Sequence, residues 1–234
     1  MAKKLIEMTQ ESIFDAALSG DLLKVKALLH DYPNLVFSKD EYGQMPLHYA
    51  SFYGHMDAAE LLIANKADVN PETKDGYTPL HCAAFKGHKD VAELLIANKA
   101  DVNPKAKDGC TPLHFAIFKG HREATELLIA NKADVNAKDN SGLTPLHSTA
   151  QYGNKGVAEL LLGDKADVNA ENNNGHTPLH YAALKGDKEV AQLLIANKAN
   201  VNPKTRDGYT PLHFAIFKGH KDVAELLRQH GGQE

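Results

Sequence analysis

The sequence predicts an all-α repeat solenoid, and three regularities predict it. Six tetrapeptides, Met45-Pro46-Leu47-His48, Thr78-Pro79-Leu80-His81, Thr111-Pro112-Leu113-His114, Thr144-Pro145-Leu146-His147, Thr177-Pro178-Leu179-His180 and Thr210-Pro211-Leu212-His213, recur every 33 residues. A glycine follows each in constant register, at Gly54, Gly87, Gly120, Gly153, Gly186 and Gly219. The flanking residues keep step as well: Glu93-Leu94-Leu95 returns as Glu225-Leu226-Leu227, and Ala100-Asp101-Val102-Asn103 as Ala133-Asp134-Val135-Asn136. A fixed period of this length marks stacked supersecondary units, each too small to bury its apolar face without a neighbour.

Within one unit the elements follow in order. The Thr hydroxyl can cap a helix, Pro fits the first helical position where no N–H partner is needed, and His lies within reach of the Thr side chain. The tetrapeptide is therefore a helix start. The glycine ends that first helix, and a second begins a few residues on, with Asp57, Asp90, Glu123, Glu189 or Asp222 at its positive N-terminal end. After the second helix, Ala-Asp-Val-Asn leads into an extended arm that reverses at Gly76, Gly109, Gly142, Gly175 and Gly208. Small Ala50, Ala83, Ala116, Ala182 and Ala215 allow close helix approach, while Leu47, Leu80, Leu113, Leu146, Leu179 and Leu212 pack between units.

These motifs resemble the ankyrin repeat, and the resemblance covers about residues 11 to 232. It implies an L-shaped helix-turn-helix unit with a hairpin-like arm. The expected organisation is a cap helix pair over 1–40, full repeats over 41–73, 74–106, 107–139, 140–172 and 173–205, and a capping repeat over 206–234: about seven units. The N-terminal pair keeps the helical pattern but lacks the tetrapeptide, and exposes Lys24 and Lys26. At the other end Arg228, Gln229 and His230 put polar groups where a further unit would stack.

Several positions depart from the pattern. Ankyrin repeats usually have Gly before Ala-Asp-Val-Asn, where the second helix ends in a left-handed residue; here stand Lys66, Lys99, Lys132, Lys165 and Lys198. A left-handed Lys costs roughly 1 to 2 kcal/mol. The preceding Asn65, Asn98, Asn131 and Asn197 are expected to take that conformation instead, since Asn tolerates it better. Met45 replaces a capping Thr, a loss of about 1 kcal/mol. The repeat 140–172 carries Thr149 for Ala, Asn154 for His, Gly156 for an acid and Gly163 late in its second helix, which predicts the softest internal unit.

The resemblance implies that a protein partner docks on a concave face built from arm tips and first-helix ends. The residues on those positions are Tyr42, Lys74, Tyr77 and Tyr209 from the arms, with Phe52, Tyr53, Phe85, Lys86, Phe118, Lys119, Tyr152, Lys185, Phe217 and Lys218 from the helix ends. They form an aromatic and basic stripe, and aromatics are favoured in interfaces. The repetition of Phe-Lys also admits a relic of duplication. Two other functional readings stay open at this stage: single-stranded nucleic acid stacking on the rings, against which Asp75, Asp108 and Asp207 stand, and a purely structural spacer.

Composition excludes several classes. A net charge of −4 argues against chain-wide attraction to nucleic acid or anionic lipid. Met1 to Glu7 hold no long apolar core and no stretch approaches 18 apolar residues, so a cytoplasmic protein without signal peptide or membrane span is expected, as a monomer. Cys82 and Cys110 occupy different places in successive units and are expected as free thiols. Of the 13 histidines, six belong to the tetrapeptides and four more, His55, His88, His121 and His220, follow the helix-ending glycine. Repetition explains them without a metal, and no nucleophile elbow or phosphate loop is present; no enzyme and no cofactor is expected. Asn70, Asn103, Asn136, Asn169 and Asn202 resemble the asparagine that an oxygen-dependent hydroxylase modifies in some ankyrin proteins, or else serve as loop residues bonding backbone.

Overall fold

The computed structural model describes the backbone of residues 2–234 and the side chains of Thr9 and residues 12–234. The leader expected to be absent at Met1 to Glu7 concerns side chains outside the described residues. Fourteen α-helices and no strand occur among the described residues: α1 (Ala2–Ser19), α2 (Leu22–Asp31), α3 (Pro46–Tyr53), α4 (Met56–Ala64), α5 (Pro79–Lys86), α6 (Lys89–Ala97), α7 (Pro112–Phe118), α8 (Arg122–Ala130), α9 (Pro145–Tyr152), α10 (Lys155–Gly163), α11 (Pro178–Lys185), α12 (Lys188–Ala196), α13 (Pro211–Phe217) and α14 (Lys221–Gln229). A 3-10 turn, Pro33–Phe37, follows α2. Odd-numbered helices pack on odd-numbered neighbours and even on even, so two helical layers run the length of a solenoid. The tetrapeptide leucines and the small alanines between the layers are fully or almost fully buried.

Each tetrapeptide starts its helix as the chemistry requires, with one refinement. Pro takes the first position, but in the four units from Thr78 to Thr177 the nearest partner of the Thr hydroxyl is the imidazole of the following His and not the backbone N–H, while the Thr210 hydroxyl donates to Gln233 O at 2.6 Å. At Thr78, Thr111, Thr144 and Thr177 both the backbone N and Oγ1 lie 2.8–3.2 Å from Nδ1 of that His. Helices α7 and α13 stop at Phe118 and Phe217, two residues before their glycines. The arms are tight hairpins too short for a ladder: Thr73 N donates to Tyr77 O and Ala106 N to Cys110 O, both at 3.0 Å. Neighbouring arms are joined in turn, as where Lys74 N donates to Tyr42 O at 2.8 Å and Lys107 N to Asp75 O at 2.9 Å.

The lysines, not the asparagines, carry the left-handed backbone. Lys66, Lys99, Lys132, Lys165 and Lys198 have φ between +65° and +69°, whereas Asn65 and Asn98 stay at −87° and −92°. The reason is the backbone bond that closes each helix end: the N–H of Ala67, Ala100, Ala133, Ala166 and Ala199 donates to the carbonyl five residues back at 2.9–3.0 Å, which requires the left-handed residue at the Lys. Asn65, Asn98, Asn131 and Asn197 meanwhile donate their amide Nδ2 to the carbonyl four residues back, at 2.8–2.9 Å. The lysine carbonyls then accept Nδ2 of Asn70, Asn103, Asn136 and Asn169 from the preceding unit at 3.2–3.4 Å. The same asparagines accept the backbone N–H two residues beyond each lysine at 2.7–2.8 Å. Each of these loop asparagines thus clamps the next unit through both atoms of its amide.

A second tie runs through the histidines that follow the helix-ending glycines. Nε2 of His55, His88, His121 and His220 donates to the carbonyls of Leu18, Phe52, Phe85 and Leu184 at 2.8–3.1 Å. The ring lies so close to the preceding unit that a Cβ on Gly87, whose φ is +74°, would sit 2.5 Å from the His121 imidazole. Residues 140–172 lack this tie on both sides. Asn154 caps its own helix instead, accepting Val157 N at 3.2 Å, and Asp187 does the same for Val190 N at 2.9 Å. The fastening moves to the arm tips, where Asn140 Nδ2 reaches Lys107 O at 2.7 Å and Asn173 Nδ2 reaches Asn140 O at 2.8 Å.

Two predictions follow from these contacts. Met45 makes no side-chain cap bond but is only 5% exposed. Burying its thioether chain is worth about 1.5 to 3 kcal/mol against about 1 kcal/mol for a Thr cap, which reverses the sign expected from the sequence. Met45→Thr is expected to lower the denaturant midpoint; a raised midpoint would show that the hydroxyl outweighs the packing. By hydrogen exchange, amides of α9 and α10 are expected to be less protected than those of α5 and α6, because two helix-side ties are missing and Gly156 and Gly163, in the first and last turns of α10, favour the helix less than Ala would. Uniform protection across these helices would refute it.

Candidate interaction face

The arms and first helices bring much of the predicted stripe together. Tyr42, Tyr53, Phe118, Tyr152, Tyr209 and Phe217 are exposed, Phe217 to 72%, and Lys74, Lys86, Lys119, Lys185 and Lys218 are exposed too. Phe52, Tyr77 and Phe85 are half-buried. The rings of Phe52 and Phe85 stack at 6.1 Å, and Phe118 meets Tyr152 edge-on at 5.6 Å. Lysines lie on these rings: Lys86 Nζ is 4.6 Å from the Phe52 centroid, and Lys119 Nζ is 4.4 Å from Phe85 and 4.9 Å from Phe118. Lys218 repeats the arrangement on Phe217 at 5.4 Å. Tyr42, Lys74 and Lys185 stand apart from these ring contacts.

Sequence reasoning overlooked a second row of rings, at the position immediately after four of the six tetrapeptide histidines. Phe115 packs edge-on against Tyr77, His81 and Phe85 of the preceding unit at 5.6–5.8 Å. Tyr181 meets His147 at 5.7 Å and Phe214 meets His180 at 5.8 Å in the same way. The signal was available as an aromatic recurrence at the repeat period. Two clefts open along this row. One, about 240 Å³, is lined by Phe52, Tyr77, His81, Cys82, Phe85 and Phe115. The other, about 270 Å³, lies on the far side of Phe115, among Cys110, His114, Phe118, Asp139, Ser148 and Tyr152. Each takes one of the two free thiols into its wall. Burial pushes both thiols up to about 12, so neither is a ready nucleophile.

The tetrapeptide histidines hold this face in place. Nε2 of His48, His81, His114, His147 and His180 donates to the carbonyl of the next unit's arm residue, Tyr77, Cys110, Leu143, His176 and Tyr209, at 3.0–3.2 Å. Nδ1 accepts the N–H at its own helix start. That pattern assigns the neutral tautomer with the proton on Nε2, and it engages both nitrogens in hydrogen bonds, leaving no lone pair for a metal. Desolvation lowers all five, and takes His81, His147 and His180 down to about 4.

The repeating helix pairs, the arms and the two sets of histidine ties define a helical repeat protein. The family model described as ankyrin repeats (3 copies) matches residues 13–106, 100–172 and 164–234, and the chain belongs to the ankyrin repeat family. Repeats of this family generally mediate protein–protein interactions and are typically not enzymes. No helix among the described residues is long and apolar enough to cross a membrane.

The buried imidazoles make a pH dependence. An unfolded His titrates near 6.5, whereas in the folded chain the neutral form persists down to about pH 4 at His81, His147 and His180. Between these values unfolding takes up protons, so the stability is complete above pH 6.5 and is lost as pH falls toward 4. Each such group contributes a slope of about 1.4 kcal/mol per pH unit within that window. Denaturant titrations at pH 7, 6, 5 and 4.5 are expected to show a falling midpoint, and His147→Gln to flatten the slope by about one proton. A midpoint constant from pH 6.5 to 4.5 would contradict the assignment.

Proposed function

We propose that this chain is a non-enzymatic, monomeric protein-binding module of the cytoplasm that engages its partner on the concave face formed by arm tips and first-helix ends. Its units are the cap pair 1–40, the five full repeats between 41 and 205, and the capping repeat 206–234. The observation that carries this reading is the aromatic and lysine stripe, in which half-buried Phe52 and Phe85 and exposed Phe118 from successive first helices are joined through Lys86 and Lys119. Large rings on a pre-ordered scaffold provide contact area at little entropic cost. Single-stranded nucleic acid is a poorer fit, because Lys86 and Lys119 already lie over the Phe52 and Phe85 rings and so compete with a stacking base.

Interface energy concentrates in a few shielded anchors. Replacing Phe85 and Phe118 together by Ala is expected to weaken partner capture by at least about 2 kcal/mol, roughly thirtyfold, with helix content by circular dichroism unchanged. Lys89→Ala with Glu93→Ala, on the exposed side of α6, is expected to do little. The reverse result would move the binding site to the second-helix face.

A further inference from the structure

The two clefts arise where the ring row is interrupted. The residue after the tetrapeptide His is Tyr49, Cys82, Phe115, Ser148, Tyr181 and Phe214 along the chain, so a small side chain replaces a ring at Cys82 and again at Ser148. Phe115 stands between as the shared wall of both clefts. The chain thus leaves out two rings that its other units supply to themselves.

The two openings differ in chemistry, and the intact units show how. Tyr49 donates its hydroxyl to Asp40 Oδ2 at 2.7 Å, while Asp40 Oδ1 accepts the arm N–H groups of Tyr42 and Gln44. The equivalent of Asp40 beside Ser148 is Asp139. Its Oδ1 accepts the N–H groups of Ser141 and Leu143 at 2.8 Å, and no hydrogen bond reaches its Oδ2 among the described residues. A carboxylate oxygen therefore lines the second cleft in the place where Asp40 receives a phenol. Beside Cys82 the equivalent residue is Thr73, whose Oγ1 is occupied by Asp75 N and Tyr77 N. The first cleft is walled by rings and resembles the setting of Phe214, beside Thr205, where the ring carries no hydroxyl.

Between the clefts stands a cation. Lys119 Nζ rests on Phe85, which lines the first cleft, and on Phe118, which lines the second, and it pairs with no carboxylate among the described residues. We propose that the partner is an extended peptide segment that supplies the two missing rings, an apolar one over Cys82 and a tyrosine over Ser148 bonded to Asp139, with an acidic residue between them on Lys119. This rests on the protein-binding reading above. In an extended chain residues i, i+2, i+4 and i+6 face one side, and i to i+6 spans about 20 Å, which suits two positions separated by two helix spacings of about 8 to 10 Å each.

The test uses fluorescein-labelled peptides on the full chain, Gly-Ser-Phe-Ser-Glu-Ser-Ser-Ser-Tyr-Ser-Gly and the same residues in reverse order, read by anisotropy. One order is expected to bind, with affinity that falls with salt as expected for an ion pair at Lys119. Filling either cleft as the intact units do, by Cys82→Phe or Ser148→Tyr, is expected to weaken binding at least tenfold. Two changes in the peptide avoid any effect on folding: Tyr to Phe is expected to weaken binding to the wild type, and Glu to Gln to remove most of the salt dependence. Failure of both orders to bind, or binding indifferent to both filled variants, overturns the proposal. If partner capture depends on Phe85 and Phe118 while both filled variants capture normally, the face stands and the cleft assignment falls; if capture depends only on Lys89 and Glu93, both fall.

Discussion

The structure depends on backbone carbonyls that one unit exposes and only the adjacent unit can satisfy. Nε2 of His81 reaches forward to Cys110 O at 3.2 Å, Nε2 of His121 reaches back to Phe85 O at 3.1 Å, and the Asn103 amide clamps the Lys132 carbonyl and the Asp134 N–H. Three ties of this kind sit at different corners of the same junction, so they fix its orientation as well as its spacing. Each bond contributes only about 1 kcal/mol net, but leaving a buried partner unmet costs about 1 to 3 kcal/mol. A unit is therefore stable chiefly in company, and the energy of the array is carried at its junctions.

The same ties explain why the candidate face is rigid where it needs to be. The arm residues whose carbonyls accept the tetrapeptide imidazoles include Tyr77 and Tyr209, two members of the stripe. Burial keeps those imidazoles neutral, and neutrality preserves the Nδ1 acceptor that the helix start requires. Arm position, helix start and charge state are thus one linked arrangement. Around residues 140–172 the arrangement shifts, with Asn154 and Asp187 turned to local caps and Asn140 and Asn173 binding across the arm tips. Fastening is kept at the arms and relaxed at the helix-side turn.

The interruption of the ring row shows how a repeat protein acquires individuality without altering its frame. A ring after the tetrapeptide His covers the preceding unit's imidazole, as Phe115 covers His81 and Tyr181 covers His147. Cys82 and Ser148 leave the backbone register unchanged and remove only that cover. The resulting clefts sit beside the exposed Phe118 and Lys119, within the stripe and not away from it.

Repetition made the helix starts, the paired layers, the buried leucines and alanines, and most of the stripe legible in the linear chain, because each is a local pattern repeated at a constant interval. The linear chain also identified Asn70 and its equivalents as loop residues with a backbone partner, without saying which backbone. What it misplaced or missed depends on distance between units. The left-handed backbone fell to Lys99 and not Asn98 because Ala100 N closes the helix end on Leu95 O, while the Asn98 amide is held by Leu94 O and the Lys99 carbonyl meets Asn70. Met45 changed from a missing cap to a packed side chain because its burial is created by neighbouring units. Phe115 gained its place in the face only when folding set it against Tyr77, His81 and Phe85. Periodicity, a property of one strand of residues, determined the frame; close packing and hydrogen bonding between residues about 30 positions apart decided which groups that frame holds still and which it leaves open.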